Sequence, residues 1–118
     1  MGRSRYRVFE DGQPYFLTCS IVNWLPLLAE LRIVHVVLDS LRFLQNDGRL
    51  ELYAYVIMQD HLHLIAGSSD LAKEIGDFKS FTARSIIEEL RVMKKFDWLE
   101  DLRHFKAKHK KDREYQVW

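Results

Sequence analysis

The chain has little of what marks secreted, disordered or membrane-spanning proteins. It carries one cysteine, Cys19, in 118 residues. One thiol excludes an internal disulfide and leaves no thiolate cluster for a metal, and it fits a reducing, cytoplasmic setting. Cys19 lies in the apolar stretch Tyr15-Phe16-Leu17-Thr18-Cys19-Ser20, where a small buried residue is expected rather than a nucleophile. Two prolines and five glycines are too few for a low-complexity or disordered chain. No apolar run approaches the roughly 20 residues of a membrane-spanning helix, and the N-terminus lacks a signal-peptide pattern, so no membrane partner is expected. Net charge is only +1, which excludes a protein held on nucleic acid by bulk charge; attraction to phosphate must come from local patches.

What is present is enough apolar and aromatic material for one core. At 47% hydrophobic, the 118 residues are expected to form a single domain spanning 1–118. Residues 15–22 read as a strand, β-branched and aromatic after Gly12 and Pro14. Residues from about 30 to 46 read as a helix with Val34, Val37, Leu41 and Leu44 as its apolar stripe and Asn46-Asp47-Gly48 as its stop. Residues 50–58 and 61–66 read as a hairpin about a tight Gln59-Asp60 turn. Asp70 is a fitting N-cap for a long helix on which Leu71, Ile75, Phe78, Thr82, Ile86, Leu90 and Met93 share one face, with Gly76 marking a close contact or bend. Phe96, Leu99, Leu102 and Phe105 suggest a short further helix, and Tyr115-Gln116-Val117-Trp118 reads as the start of a last strand.

The order β-α-β-β-α-β, with an extra helix before the last strand, is that of an α+β, ferredoxin-like split β-α-β domain: an antiparallel sheet with its helices on one face. The first and third strands are then central. Leu62 and Leu64 lie under the helices, and His61 and His63 look out from the open face.

These two histidines are the most informative feature of the sequence. They stand two apart in Tyr55-Val56-Ile57-Met58-Gln59-Asp60-His61-Leu62-His63-Leu64-Ile65-Ala66. On a strand, side chains two apart share a face, so both imidazoles can reach one divalent cation while Leu62 anchors the opposite face. With five histidines in the chain, an H-x-H pair alone is weak, and an edge strand could carry two idle ones. The apolar surroundings favour a purpose, because an imidazole in such a strand needs partners for its nitrogens. Tyr55 has the same odd numbering as the histidines, so Tyr55, Ile57 and Ile65 are expected on their face. Other H-x-H chemistries fit less well. A histidine-triad hydrolase needs a third histidine where Ile65 stands, a two-histidine phosphoesterase needs two separate His-x-Thr/Ser motifs, and a cupin-like site needs many more strands. His35, His104 and His109 read as surface residues.

The early Phe-Leu-Thr strand, the helix, and then Ala54 through Ile65 with His61-Leu62-His63 resemble the single-tyrosine HUH transposases of the insertion-sequence and REP-associated kind. The segment Phe78-Lys79-Ser80-Phe81-Thr82-Ala83-Arg84 resembles that family's following helix, and Tyr115-Gln116-Val117-Trp118 resembles the lead-in to its Trp-Gln pair. The likeness runs in order along nearly the whole chain. It implies that His61 and His63, with one more polar ligand, hold Mg²⁺ or Mn²⁺, and that the partner is single-stranded or hairpin DNA. It implies nicking and joining through a 5′-phosphotyrosine, with the cation polarising the scissile phosphate. In the family the tyrosine sits on a C-terminal helix, in a Tyr-x-x-x-Asn or Tyr-x-x-x-Gln arrangement. The sequence stops at Trp118 without that motif. The expectation is a transposase domain lacking its catalytic helix and inactive alone, a DNA-binding remnant or a self-associating fragment being the alternatives. Of Tyr6, Tyr15, Tyr53, Tyr55 and Tyr115, only Tyr115 remains as a candidate nucleophile, and it aligns with a position that does not attack.

Candidate phosphate contacts are Arg3, Arg5 and Arg7 in an N-terminal arm, Lys79 and Arg84 on the long helix, and the cluster Lys106, Lys108, Lys110, Lys111 and Arg113. Solvated faces are the ordinary explanation of such runs, and Glu10, Asp11, Asp112 and Glu114 dilute two of them. An open sheet face deprived of a covering helix is expected to find a partner, so a homodimer is anticipated.

Overall fold

The computed structural model describes residues 12–118. Among them is a small α+β domain with a three-stranded antiparallel sheet and three helices. Strand β1 (Tyr15–Ser20) leads through two short 3-10 turns, Val22–Trp24 and Leu27–Ala29, into helix α1 (Leu31–Asn46). Strands β2 (Glu51–Ile57) and β3 (His61–Gly67) form a hairpin, closed by a bond from Met58 N–H to the His61 carbonyl at 2.8 Å. Helix α2 (Leu71–Val92) and helix α3 (Phe96–His104) follow. None of the described helices is long and apolar enough to cross a membrane.

Local chemistry sets these boundaries. The Asp70 carboxylate accepts from Lys73 N–H at 3.4 Å, the N-cap expected for α2. After α1 the backbone turns left-handed at Gly48, φ +72°, where the absence of a Cβ removes the strain. Helix α2 ends in the same way without a glycine. Lys94 takes φ +58°, while Lys95 N–H reaches the Leu90 carbonyl at 2.8 Å and Lys94 N–H the Arg91 carbonyl at 3.0 Å. Helix α2 runs through Gly76 as one element.

The core lies between one face of the sheet and the helices. Leu17 and Cys19 of β1 and Leu62, Leu64 and Ala66 of β3 are buried against Ile33, Val37 and Leu41 of α1 and Ile75, Phe78 and Ile86 of α2. Cys19 is fully buried, as its setting suggested. On α1 Val37, Leu41 and Leu44 are buried as expected, while in the first turn Ile33 is the buried residue and Val34 is only half-buried. The expected stripe of α2 is buried from Leu71 to Leu90, while Met93, just past the helix, is half-buried.

Two expectations of the topology are corrected. The sheet order is β1-β3-β2, so among the described strands β3 is central and β1 is not. Residues 115–118 form no strand. Val117 is buried and its carbonyl accepts from Val22 N–H at 2.7 Å, but Gln116 turns away: its N–H donates to the Leu102 carbonyl at 3.3 Å and its side-chain oxygen accepts from Ala107 N–H at 2.9 Å. A strand needs successive ladder bonds, and here the backbone groups are divided between β1's exit and α3.

The tail is fastened to α2 instead. The Trp118 indole N–H donates to the Thr82 hydroxyl at 2.9 Å, and that hydroxyl donates to the Phe78 carbonyl at 2.7 Å. The Trp118 and Phe78 rings lie 6.0 Å apart. The Phe78–Thr82 segment and Trp118, far apart in sequence, thus meet in one contact.

Candidate metal centre and basic groove

His61 and His63 project from the open face of the central strand. Register fixes this: Leu62 pairs with Cys19 and Leu64 with Leu17, both buried, so the residues between them face outward. Ser20 is the cross-strand partner of His61, and Thr18 and Val56 flank His63 from either side. The two imidazole rings stand edge to face with centroids 4.6 Å apart.

Each ring is held at Nδ1. His61 Nδ1 lies 2.6 Å from Asp60 Oδ1, and His63 Nδ1 lies 3.0 Å from the Thr18 hydroxyl. His63 also stacks on Phe16, with centroids 5.2 Å apart and ring planes 29° from parallel. With Nδ1 engaged on both rings, Nε2 is the nitrogen left to meet a cation. Among the described residues no three histidine, cysteine or acidic side chains gather as a ready-made cage. The donor set suits a divalent ion that takes two imidazole nitrogens and fills its other positions with oxygen from water or substrate.

The hairpin places the neighbours differently from the expectation based on odd numbering. The two-residue turn at Gln59-Asp60 pairs residues of opposite parity, so Ala54 pairs with Ile65, Val56 with His63, Tyr55 with Leu64 and Ile57 with Leu62, and the irregularity between Leu52 and Ala54 shifts only the far end of the hairpin. Tyr55 and Ile57 therefore belong to the helix side. The apolar residues beside the histidines are Phe16, Val56 and Ile65, 67%, 54% and 39% exposed.

The described tyrosines are engaged elsewhere. Tyr15 pairs with Ala66 on the covered side. The Tyr53 hydroxyl donates to Glu51 at 2.6 Å, and that carboxylate holds the phenol above its usual range. Tyr115 is half-buried; Arg103 donates to its hydroxyl at 3.2 Å, and the guanidiniums of Arg91 and Arg103 lie 5.8 and 5.4 Å from its ring centre.

The basic candidates divide into three groups. Arg3, Arg5 and Arg7 lie outside the described residues. Lys79, Arg84, Lys110 and Arg113 line one groove of about 980 Å³ between β1, α2 and the tail. Lys106 is turned inward, its ammonium donating to the Lys110 carbonyl at 2.9 Å, while Lys108 and Lys111 are exposed and lie off the groove lining. The sequence reading missed two groove residues, Arg91 and Trp24. Arg91 is a basic residue in the last turn of α2, which carries no local signal of a groove. Trp24 is 70% exposed at φ +51°, in a turn that no glycine announced. Asp112 and Glu114 also line the groove but are paired, Asp112 with Arg113 at 3.1 Å and Glu114 with Arg103 at 2.6 Å. Thr18 belongs both to the groove lining and to the His63 contact, so groove and histidines adjoin across β1.

Comparison with known protein families, with curated proteins and with solved structures finds no match for the chain.

Proposed function

We propose that this domain binds single-stranded or hairpin DNA and sets a backbone phosphate on a divalent cation, Mg²⁺ or Mn²⁺, held by His61 and His63. This is the chemistry of an HUH-type transposase domain. The observation that carries the reading is the pair of adjacent imidazoles on the open face of the central strand, each tied at Nδ1 and free to present Nε2. The strand order β1-β3-β2 with helices on one face is also what a ferredoxin-like sheet shows when its fourth strand position, beside β1, is not formed by residues 115–118.

Within this reading the two histidines bind the cation, and the cation offsets charge on the phosphate. The basic groove across β1 guides the strand toward it, with Lys79, Arg84 and Arg91 as its fixed charges on α2. A phosphotyrosine step needs a tyrosine that residues 12–118 do not bring to the histidines. The domain therefore binds and orients DNA, and nicks only when a nucleophile is supplied.

A mobility-shift assay on a labelled hairpin, its single strand and a matched duplex, with and without Mn²⁺, tests this. Hairpin or single strand is expected to bind more tightly than duplex, with affinity falling steeply in salt. Equal binding of all three, or none, defeats the reading. A denaturing gel of the same mixtures is expected to show no covalent adduct; an adduct abolished by Tyr115→Phe makes the chain a complete enzyme.

A further inference from the structure

We infer that Asp60 and Thr18 are the positioning residues of the histidine pair, and that they make the two ligands unequal: His61, clamped by a carboxylate, is the anchoring donor for the cation, and His63, clamped by a hydroxyl, is the weaker and more exchangeable one. The inference rests on the proposal that the pair binds a cation.

An ionised carboxylate can only accept a hydrogen bond. The 2.6 Å contact therefore places a proton on His61 Nδ1 and leaves the lone pair of the neutral ring on Nε2. The carboxylate also makes that ring a better donor, by supporting the positive charge it acquires when Nε2 gives electron density to a metal. Asp60 is itself rigidly held. Its carbonyl accepts from Ile21 N–H at 2.9 Å, and the preceding Gln59 carbonyl accepts from Leu28 N–H at 2.9 Å. Both donors lie in the stretch after β1, so this stretch braces the hairpin turn and the carboxylate on it. Sequence adjacency alone does not give this contact. An aspartate preceding a strand histidine can point anywhere, and here the turn directs it back along the strand.

Thr18 acts on His63 from the neighbouring strand, directly across in register. A hydroxyl can accept from Nδ1–H, but it carries no charge and lends the ring less basicity. Phe16, two residues from Thr18 along the same strand, stacks on the His63 ring and restrains its rotation. The site is thus ordered before any ion arrives, with one strong and one weak nitrogen.

The test uses the full chain and Co²⁺ alone, because imidazole binds Co²⁺ more tightly than Mn²⁺ and its visible spectrum reports nitrogen ligation. In the metal-free protein, long-range ¹H–¹⁵N correlation is expected to show the Nδ1–H form for His61. Asp60→Ala is expected to weaken Co²⁺ binding about 10- to 100-fold, Asp60→Asn less, because its side-chain oxygen still accepts from Nδ1, and Thr18→Val by only a few-fold. An Nε2–H form at His61 overturns the inference whether or not any variant folds. So does Co²⁺ affinity in Asp60→Ala within twofold of the unaltered protein while His61→Ala abolishes binding; the cation site itself then stands. If the unaltered protein binds no Co²⁺, the cation site falls, and this inference with it.

Discussion

Replacing Thr82 by valine and Trp118 by phenylalanine, singly and together, tests whether the tail is fastened to α2 by a specific bond. Thr82 is fully buried, and its hydroxyl accepts from the Trp118 indole N–H at 2.9 Å. Thr82→Val keeps the shape of the side chain but removes that acceptor. The Phe78 carbonyl loses one donor, and the half-buried indole N–H is left without its partner. A net hydrogen bond contributes about 1 kcal/mol, and a stranded buried donor costs about 1–3 kcal/mol, so Thr82→Val is expected to destabilise by roughly 1–2 kcal/mol. Trp118→Phe loses the same bond and part of the contact with Phe78, costing about 1–2 kcal/mol. In the double variant an apolar ring faces an apolar methyl and nothing is stranded. Its cost should fall short of the sum of the single costs by about 1 kcal/mol. Urea unfolding read by circular dichroism resolves this. At a typical slope of about 1–3 kcal/mol per molar urea, such a coupling is a midpoint discrepancy of about 0.3–1 M. Costs that add to within about 0.3 kcal/mol refute the bond as a stabilising link.

Other outcomes follow from the same structure. Arg49 donates to Glu74 at 2.8 Å, and Glu74 is 8% exposed, so Arg49→Ala strands a buried carboxylate. The urea midpoint is expected to fall, and Glu74→Gln in the same chain should recover part of the loss; an unchanged midpoint rejects the pair as a stabilising contact. The Lys73 ammonium holds the Asp77 carboxyl below its ordinary value, with Arg49 adding to the effect. A carboxyl depressed in the folded state stabilises above its unfolded value, near pH 4, and loses that contribution as pH falls through the folded value. Asp77→Asn should therefore flatten the acid limb of a stability profile below about pH 4, and an unchanged limb rejects the link. The apolar residues Phe16, Val56 and Ile65 beside the histidines lead us to expect a dimer in sedimentation at micromolar concentration; a monomer throughout rejects it.

The sequence carried the periodic elements well because their signals are local. Alternation placed Leu62 and Leu64 inward and the histidines outward, and the Asp70 cap and the Asn46-Asp47-Gly48 stop bounded the helices. It failed where long-range contacts decide. Parity misplaced Tyr55 for a different reason: strands joined by a two-residue turn pair residues of opposite parity, so Tyr55 lies opposite Leu64 on the helix side. Tyr115–Trp118 has strand-like composition, but its polar groups are claimed by Leu102, Ala107 and Thr82. At the site, the histidines were legible from spacing, whereas Thr18 needed the β1–β3 register and Asp60 needed the direction of a turn. Lys79 and Arg84 were legible as cations, but their grouping with Arg91 and Trp24 required the fold.

The central claim is that a divalent cation sits between His61 and His63 on the open face of β3. Adding substoichiometric Mn²⁺ to isotope-labelled protein and recording which resonances broaden tests it most directly, because the paramagnetic ion marks its own location. The account predicts that broadening starts at His61 and His63 and spreads to Thr18, Ser20, Phe16 and Val56, and that it vanishes in the His61→Ala, His63→Ala double variant. Broadening centred on the carboxylates of Glu74 and Asp77, or unchanged in the double variant, would contradict it.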